Sequence, residues 1–103
     1  MTVALVDVLK ALGNPTRLQI MEWLRTPEAS FSEYEPMADR AMAGVCVTHL
    51  ASKTGLSQST ISTYMTTLER VGLVRSTRVG KWTHYRRADA GVEELLARLR
   101  DHI

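Results

Sequence analysis

A single cysteine, Cys46, occurs in the 103 residues. One thiol cannot close an internal disulfide, so a disulfide-stapled secreted fold is excluded and a reducing compartment suits the chain. No apolar run approaches the length of a membrane span, and Asp7 and Lys10 interrupt the only stretch near the N-terminus that resembles a signal segment. A soluble, cytoplasmic protein is therefore expected. Also missing are a carboxylate pair, a Gly-rich phosphate loop and a nucleophile with a base at recognisable spacing, so the chain is not expected to be an enzyme. Net charge is scarce as well: thirteen Lys and Arg against eleven Asp and Glu leave +2. No repeat or low-complexity tract appears. What remains is one domain over residues 1–103, with the 45% apolar and 23% charged content of an ordinary folded chain and no room for a second, catalytic domain.

The distribution of charge says more than its sum. From Arg70 to Arg87 there is no acid, while Arg70, Arg75, Arg78, Lys81, Arg86 and Arg87 are basic. From Glu22 to Asp39 there are five acids and one base, Arg25. The basic end adjoins the stretch Thr48 to Gly72, which reads as two short helices joined by a tight turn. Thr48 is a candidate cap for the first, Leu50 and Ala51 face inward, and Gly55 stands where a left-handed residue ends it. Leu56 is expected to plug the turn and Ser57 to cap the second helix, whose Ile61, Met65 and Leu68 recur at helical spacing. The opposite face carries Ser59, Thr63, Thr66 and Arg70, with Ser62 at its edge and Gln58 at its start. Short polar side chains without charge suit hydrogen bonding to base edges better than attraction to phosphate. This is a helix-turn-helix, residues 48–72, whose second helix enters a major groove. The alternative is an amphipathic helix pair with solvated Ser and Thr.

The next segment favours the first reading. Leu73 to Val79 and Lys81 to Arg87 are β-rich runs joined at Gly80, a hairpin over residues 73–88 with Arg78 and Lys81 at its tip. A basic hairpin after a helix-turn-helix is a wing that reaches phosphate or the minor groove. Upstream, Val3 to Leu12 predicts an amphipathic helix ended by Gly13. Asn14 and Pro15 open a second helix to about Arg25, expected to bury Leu18, Met21 and Leu24 or Ile20. Pro27 ends it. Residues 26–44 show no sustained period; one or two helical turns over Glu35 to Met42, from Pro36, are expected. Phe31, Tyr34, Met37 and Met42 make this stretch more apolar than a plain linker, either folded back on the body, shaping a pocket, or a partly ordered surface insertion. Asp89 begins a last helix with Val92, Leu95, Leu96 and Leu99 on one side. Its stripe and that of the first helix exceed what one small body covers, which predicts a homodimer through these helices.

Taken together, ALGNPTRLQIMEWL, LASKTGLSQSTISTYMTTLERVGLV and GKWTHYRRAD resemble the ArsR/SmtB winged-helix repressors over nearly the whole chain except residues 26–44. The resemblance implies a mainly α winged helix-turn-helix, α-α-α-α-β-β-α, dimerised by its first and last helices, that leaves a double-stranded DNA operator when an effector binds. The family's thiolate site reads here Cys46-Val47-Thr48, with one thiolate replaced. Its last-helix site keeps Asp89 and His102 but has Gly91 at the second position. Two ligands of four do not hold zinc tightly, so neither a metal nor a cofactor is expected. Asp89 as a helix cap and His102 at a helix C-terminus have structural explanations instead. Cys46, before a helix N-terminus, is either a reactive thiol or an inert core one. The candidate effector site is Cys46 with Phe31, Tyr34, Met37 and Met42, sensing an organic or thiol-reactive species. The DNA-binding set is Gln58, Ser59, Ser62, Thr63, Thr66, Arg70, Arg78 and Lys81. The rival function is a winged-helix module that binds another protein and no DNA.

Overall fold

A computed structural model describes residues 3–103. Six helices and three strands follow in the order α1 (Leu5–Leu12), α2 (Pro15–Arg25), α3 (Pro27–Ser30), β1 (Val45–Cys46), α4 (Val47–Thr54), α5 (Gln58–Arg70), β2 (Val74–Val79), β3 (Trp82–Arg87) and α6 (Asp89–His102). The sheet is antiparallel with β3 between β1 and β2. Compared with the expected series, the architecture gains a one-turn helix after α2 and a short strand before α4. It remains a winged helix-turn-helix.

Local chemistry accounts for several element ends. The side chain of Asn14 accepts from the backbone N–H groups of Thr16 and Arg17 at 2.9 and 3.0 Å, with Pro15 in the first helical position. Gly55 closes α4 in the left-handed region at φ +76°. Ser57 accepts from Thr60 N–H at 3.1 Å and caps α5. Thr48 does not cap α4. Cys46 occupies the cap position without a side-chain bond to a helix backbone N–H, and its sulfur instead lies 3.1 Å from the Thr48 hydroxyl. Asp89 is likewise no cap: it is the first residue of α6 and pairs with Arg87 at 2.6 Å.

The core gathers Ile20, Leu24, Leu50, Ile61, Met65, Leu68, Leu73 and Val74 from helices and sheet. On α2 the inward residues are Ile20, Met21 and Leu24, whereas Leu18 is exposed. Leu18 lies two residues before Ile20, about 200° around the helix, so one face cannot hold both. Leu56 is exposed and does not plug the turn.

Residues 26–44 fold back on the body, and the helix expected over Glu35 to Met42 does not form; only isolated turns occur there. Phe31 is fully buried, edge-on to Trp23 at 5.9 Å. Arg40 is also buried and donates to the carbonyl oxygens of Phe31 and Tyr34, both at 2.8 Å, with Glu28 at 3.4 Å. A guanidinium in that position supplies the donors that a loop without helix or ladder lacks. Gly44 (φ +92°) then brings the chain against the backbone of Tyr85, so that Val45 pairs with Tyr85 and Cys46 with His84.

Candidate nucleic-acid interface

Helix α5 presents a polar row because Ile61, Met65 and Leu68 are fully buried on its other side. Gln58, Ser59, Ser62, Thr63, Thr66 and Arg70 are all exposed along it. The hydroxyls of Thr63 and Thr66 donate back to the carbonyls of Ser59 and Ser62, at 3.1 and 2.8 Å. Their protons are thus engaged, and each threonine offers lone pairs and a methyl group outward. That combination accepts from an exocyclic amine or touches a thymine methyl, whereas Gln58 supplies both a donor and an acceptor.

The wing closes by a two-residue turn, Gly80-Lys81, between the paired residues Val79 and Trp82. Gly80 has φ +60°, the left-handed conformation such a turn requires. Arg78 and Lys81 are exposed here: Arg78 Nε donates to Gly80 O at 3.3 Å, and Lys81 Nζ lies 5.6 Å from the Trp82 ring centre. The polar row of α5 and the wing are joined through the α5–β2 turn, in which Leu73 N–H donates to Leu68 O.

Of the expected effector residues, Met37 is linked to Cys46 through Thr48, Phe31 and Tyr34 pack on each other, and Met42 stands apart. Cys46 is 2% exposed. The Thr48 hydroxyl bridges its sulfur to Met37 Sδ, 3.9 Å away. Tyr34 stacks on His49 at 4.8 Å and meets Phe31 at 6.2 Å. Met42 is 74% exposed and takes no part. Sequence reasoning missed the polar members of this cluster, Arg40, His49 and His84. His84 is fully buried opposite Cys46, and its Nε2 has no hydrogen-bond partner among the described residues.

Burial, reinforced by the charges of Arg40 and His84, holds the His49 imidazole below its ordinary value of 6.5. The unfolded chain then binds a proton that the folded chain resists, so this contribution to stability is present above about pH 6.5 and is lost as pH falls through the depressed value. Urea midpoints at about pH 7.5 and about pH 5.5 check it: the wild type should lose more on acidification than His49→Gln, and equal losses would refute the assignment.

Among the described residues no group of three or more His, Cys, Asp or Glu is placed to hold a metal ion. Asp89 and His102 sit at opposite ends of α6, about 20 Å apart along the axis. Asp89 is engaged by Arg87, and His102 Nδ1 lies 2.8 Å from Arg98 O. No helix is long and apolar enough to cross a membrane, among the same residues.

A helix-turn-helix whose second helix exposes one polar face, followed by a basic two-stranded wing, defines a winged helix-turn-helix DNA-binding domain. Comparison with known proteins agrees. The model of the IclR helix-turn-helix domain matches residues 39–78, the segment from the end of the loop to the wing. The chain is 40% identical over 98 residues to the HTH-type transcriptional regulator YbzH of Bacillus subtilis, spanning 95% of this chain and 97% of that protein. It is 30% identical over 96 residues to a Halobacterium salinarum protein assigned as the arsenical resistance operon repressor ArsR2, spanning 93% and 68%. The homodimeric winged helix-turn-helix DNA-binding domain Mb0332 of Mycobacterium bovis superposes with a TM-score of 0.59 at 27% identity, over 94% of this chain and 77% of that one. The chain belongs to the ArsR family of winged helix-turn-helix transcriptional regulators. Its relatives are regulators and not enzymes.

Proposed function

We propose that this regulator is a cytoplasmic repressor whose homodimer occupies a palindromic operator and leaves it when an effector binds. The observation that carries the reading is the exposed, acid-poor row of α5 continuing into Arg78 and Lys81 at the wing tip. The repressor assignment of the Halobacterium relative and the homodimeric Mycobacterium domain support it. Gln58, Ser59, Ser62, Thr63, Thr66 and Arg70 face the major groove, and the wing residues hold the backbone. Two recognition helices related by a two-fold axis would read half-sites about 34 Å apart or a multiple of that.

The test is a DNA titration on the sequence upstream of the protein's own gene and on a shuffled duplex. Thr63→Ala should cost about 1 to 3 kcal/mol on the operator alone, by losing a contact to a base edge. Lys81→Ala should weaken both duplexes alike and lower the salt slope by about one. The same pattern from both variants, or no DNA binding by the wild type, would refute the division of roles. In the second case the rival reading, a module that binds another protein, takes its place.

The effector side rests on Cys46 with Phe31, Tyr34 and Met37. Since Thr48 replaces the second thiolate, a soft metal such as arsenite, which needs two or three thiolates, is not the signal; a small organic or thiol-reactive species is. Release of DNA by such a species should disappear in Cys46→Ser. Release that survives the substitution would move the site elsewhere.

A further inference from the structure

Between Asp39 and Asp89 the chain carries one carboxylate, Glu69. It is exposed, follows Ser62 and Thr66 at helical spacing, and precedes Arg70 at the end of α5. A negative charge on a surface offered to DNA repels phosphate, so an acid here opposes binding unless it does something else. Its partners show what that is. Glu69 Oε2 accepts from the backbone N–H of Ser76 at 2.9 Å, and the Ser76 hydroxyl lies 2.8 Å from Oε2 and 3.0 Å from Oε1.

Ser76 is the third residue of β2, an edge strand, and pairs with Tyr85 on β3. Its N–H is therefore an outward edge donor, which the carboxylate occupies. Burial, with the Glu69 charge adding to it, pushes the Tyr85 phenol up.

The mechanical consequence follows from leverage. Helix α5 runs into the wing through the tight turn Val71–Leu73, with Gly72 at φ +84°, and β3 is held besides by its pairing with β1 at Tyr85 and His84. The outer strand β2 has no second strand beside it among the described residues. From Ser76 to the wing tip at Gly80 is about 13 Å of strand, over which a tilt of roughly 10° moves the tip by about 2 Å, enough to break a hydrogen bond. The Glu69–Ser76 bonds tie β2 to α5 and restrain that tilt.

We infer that Glu69 is a positioning residue that fixes the wing at the angle where Arg78 and Lys81 reach phosphate while α5 lies in the major groove. This deepens the DNA-binding reading above and rests on it. The experiment is a double-mutant cycle between Glu69→Ala and Lys81→Ala, read as dissociation constants and salt slopes on the upstream and shuffled duplexes. Glu69→Ala should weaken binding to both although it deletes a negative charge, with the salt slope falling by about one to two. Lys81→Ala should cost about fivefold in the wild type, the value of one phosphate contact near physiological salt, and under about twofold in the Glu69→Ala background. Glu69→Gln keeps a carbonyl oxygen for the Ser76 N–H and loses the charge. It should bind at least as tightly as the wild type and keep the full sensitivity to Lys81→Ala. Unchanged or tighter binding by Glu69→Ala, with Lys81→Ala costing its fivefold in both backgrounds, would make Glu69 an ordinary surface acid and overturn the proposal while leaving the DNA reading intact. Absence of salt-dependent binding by the wild type would remove both.

Discussion

Gly44→Ala should lower the free energy of unfolding by at least about 3 kcal/mol, from two effects that add. Gly44 adopts φ +92°, where an alanine costs roughly 1 to 2 kcal/mol. A methyl group there would also sit inside van der Waals distance of the carbonyl oxygen and carbon of Tyr85. Those are backbone atoms of the central strand and cannot rotate away. Relief requires separating β1 from β3, which exposes Val45 and Cys46 and loosens the loop that Arg40 anchors. Urea titration followed by circular dichroism measures the loss. Gly55 is a control of the same conformation, φ +76°, with no atom within 4 Å of an added methyl. Gly55→Ala should therefore cost only the conformational part, about 1 kcal/mol. Equal losses at the two positions would show that the close approach to Tyr85 contributes nothing.

Leu96→Arg should leave the fold intact and abolish dimerisation. Leu96 on α6 and Leu18 on α2 are exposed and line one apolar cleft with Leu12, Met21 and Val92, while Val6 and Leu9 are exposed on α1. A guanidinium placed there is harmless in water but unpaired and desolvated in a two-fold interface, where it would meet its own copy. Light scattering should give the 11.5 kDa chain mass for the variant and about twice that for the wild type. Each monomer then reads one half-site, so operator affinity should fall at least about 100-fold through loss of the linked second contact. A dimeric Leu96→Arg protein with unchanged affinity would place the interface on another surface.

The helix-turn-helix was legible because its signals are local. Asn14-Pro15, Gly55 and Ser57 mark helix ends through bonds to neighbours within four residues. The triad Ile61, Met65 and Leu68 marks a buried face whatever it packs on. The wing was legible for the same reason: its two-residue turn requires a left-handed residue, and Gly80 supplies it. The apolar excess of the first and last helices could likewise be read from spacing alone.

Other features depend on partners distant in the chain. A two-residue strand has no period to read; Val45 and Cys46 are extended only because β3, beyond the helix-turn-helix, leaves an edge free beside them. On α2, the apolar spacing puts Leu18 inside with Met21 and Leu24 or Ile20, whereas contact with the rest of the core buries Ile20, Met21 and Leu24 and leaves Leu18 outside. Arg40 reads as one more surface charge until the carbonyls of Phe31 and Tyr34 are seen to converge on it. Met42 reads as part of an apolar pocket until the loop turns it outward. Capping, periodicity and turn chemistry are properties of short segments, so the sequence by itself determined the main helices, the polar face of α5 and the basic hairpin. Which face is covered, what an edge pairs with and which carboxylate ties wing to helix depend on contacts formed after the chain has folded back, and those only the tertiary structure decided.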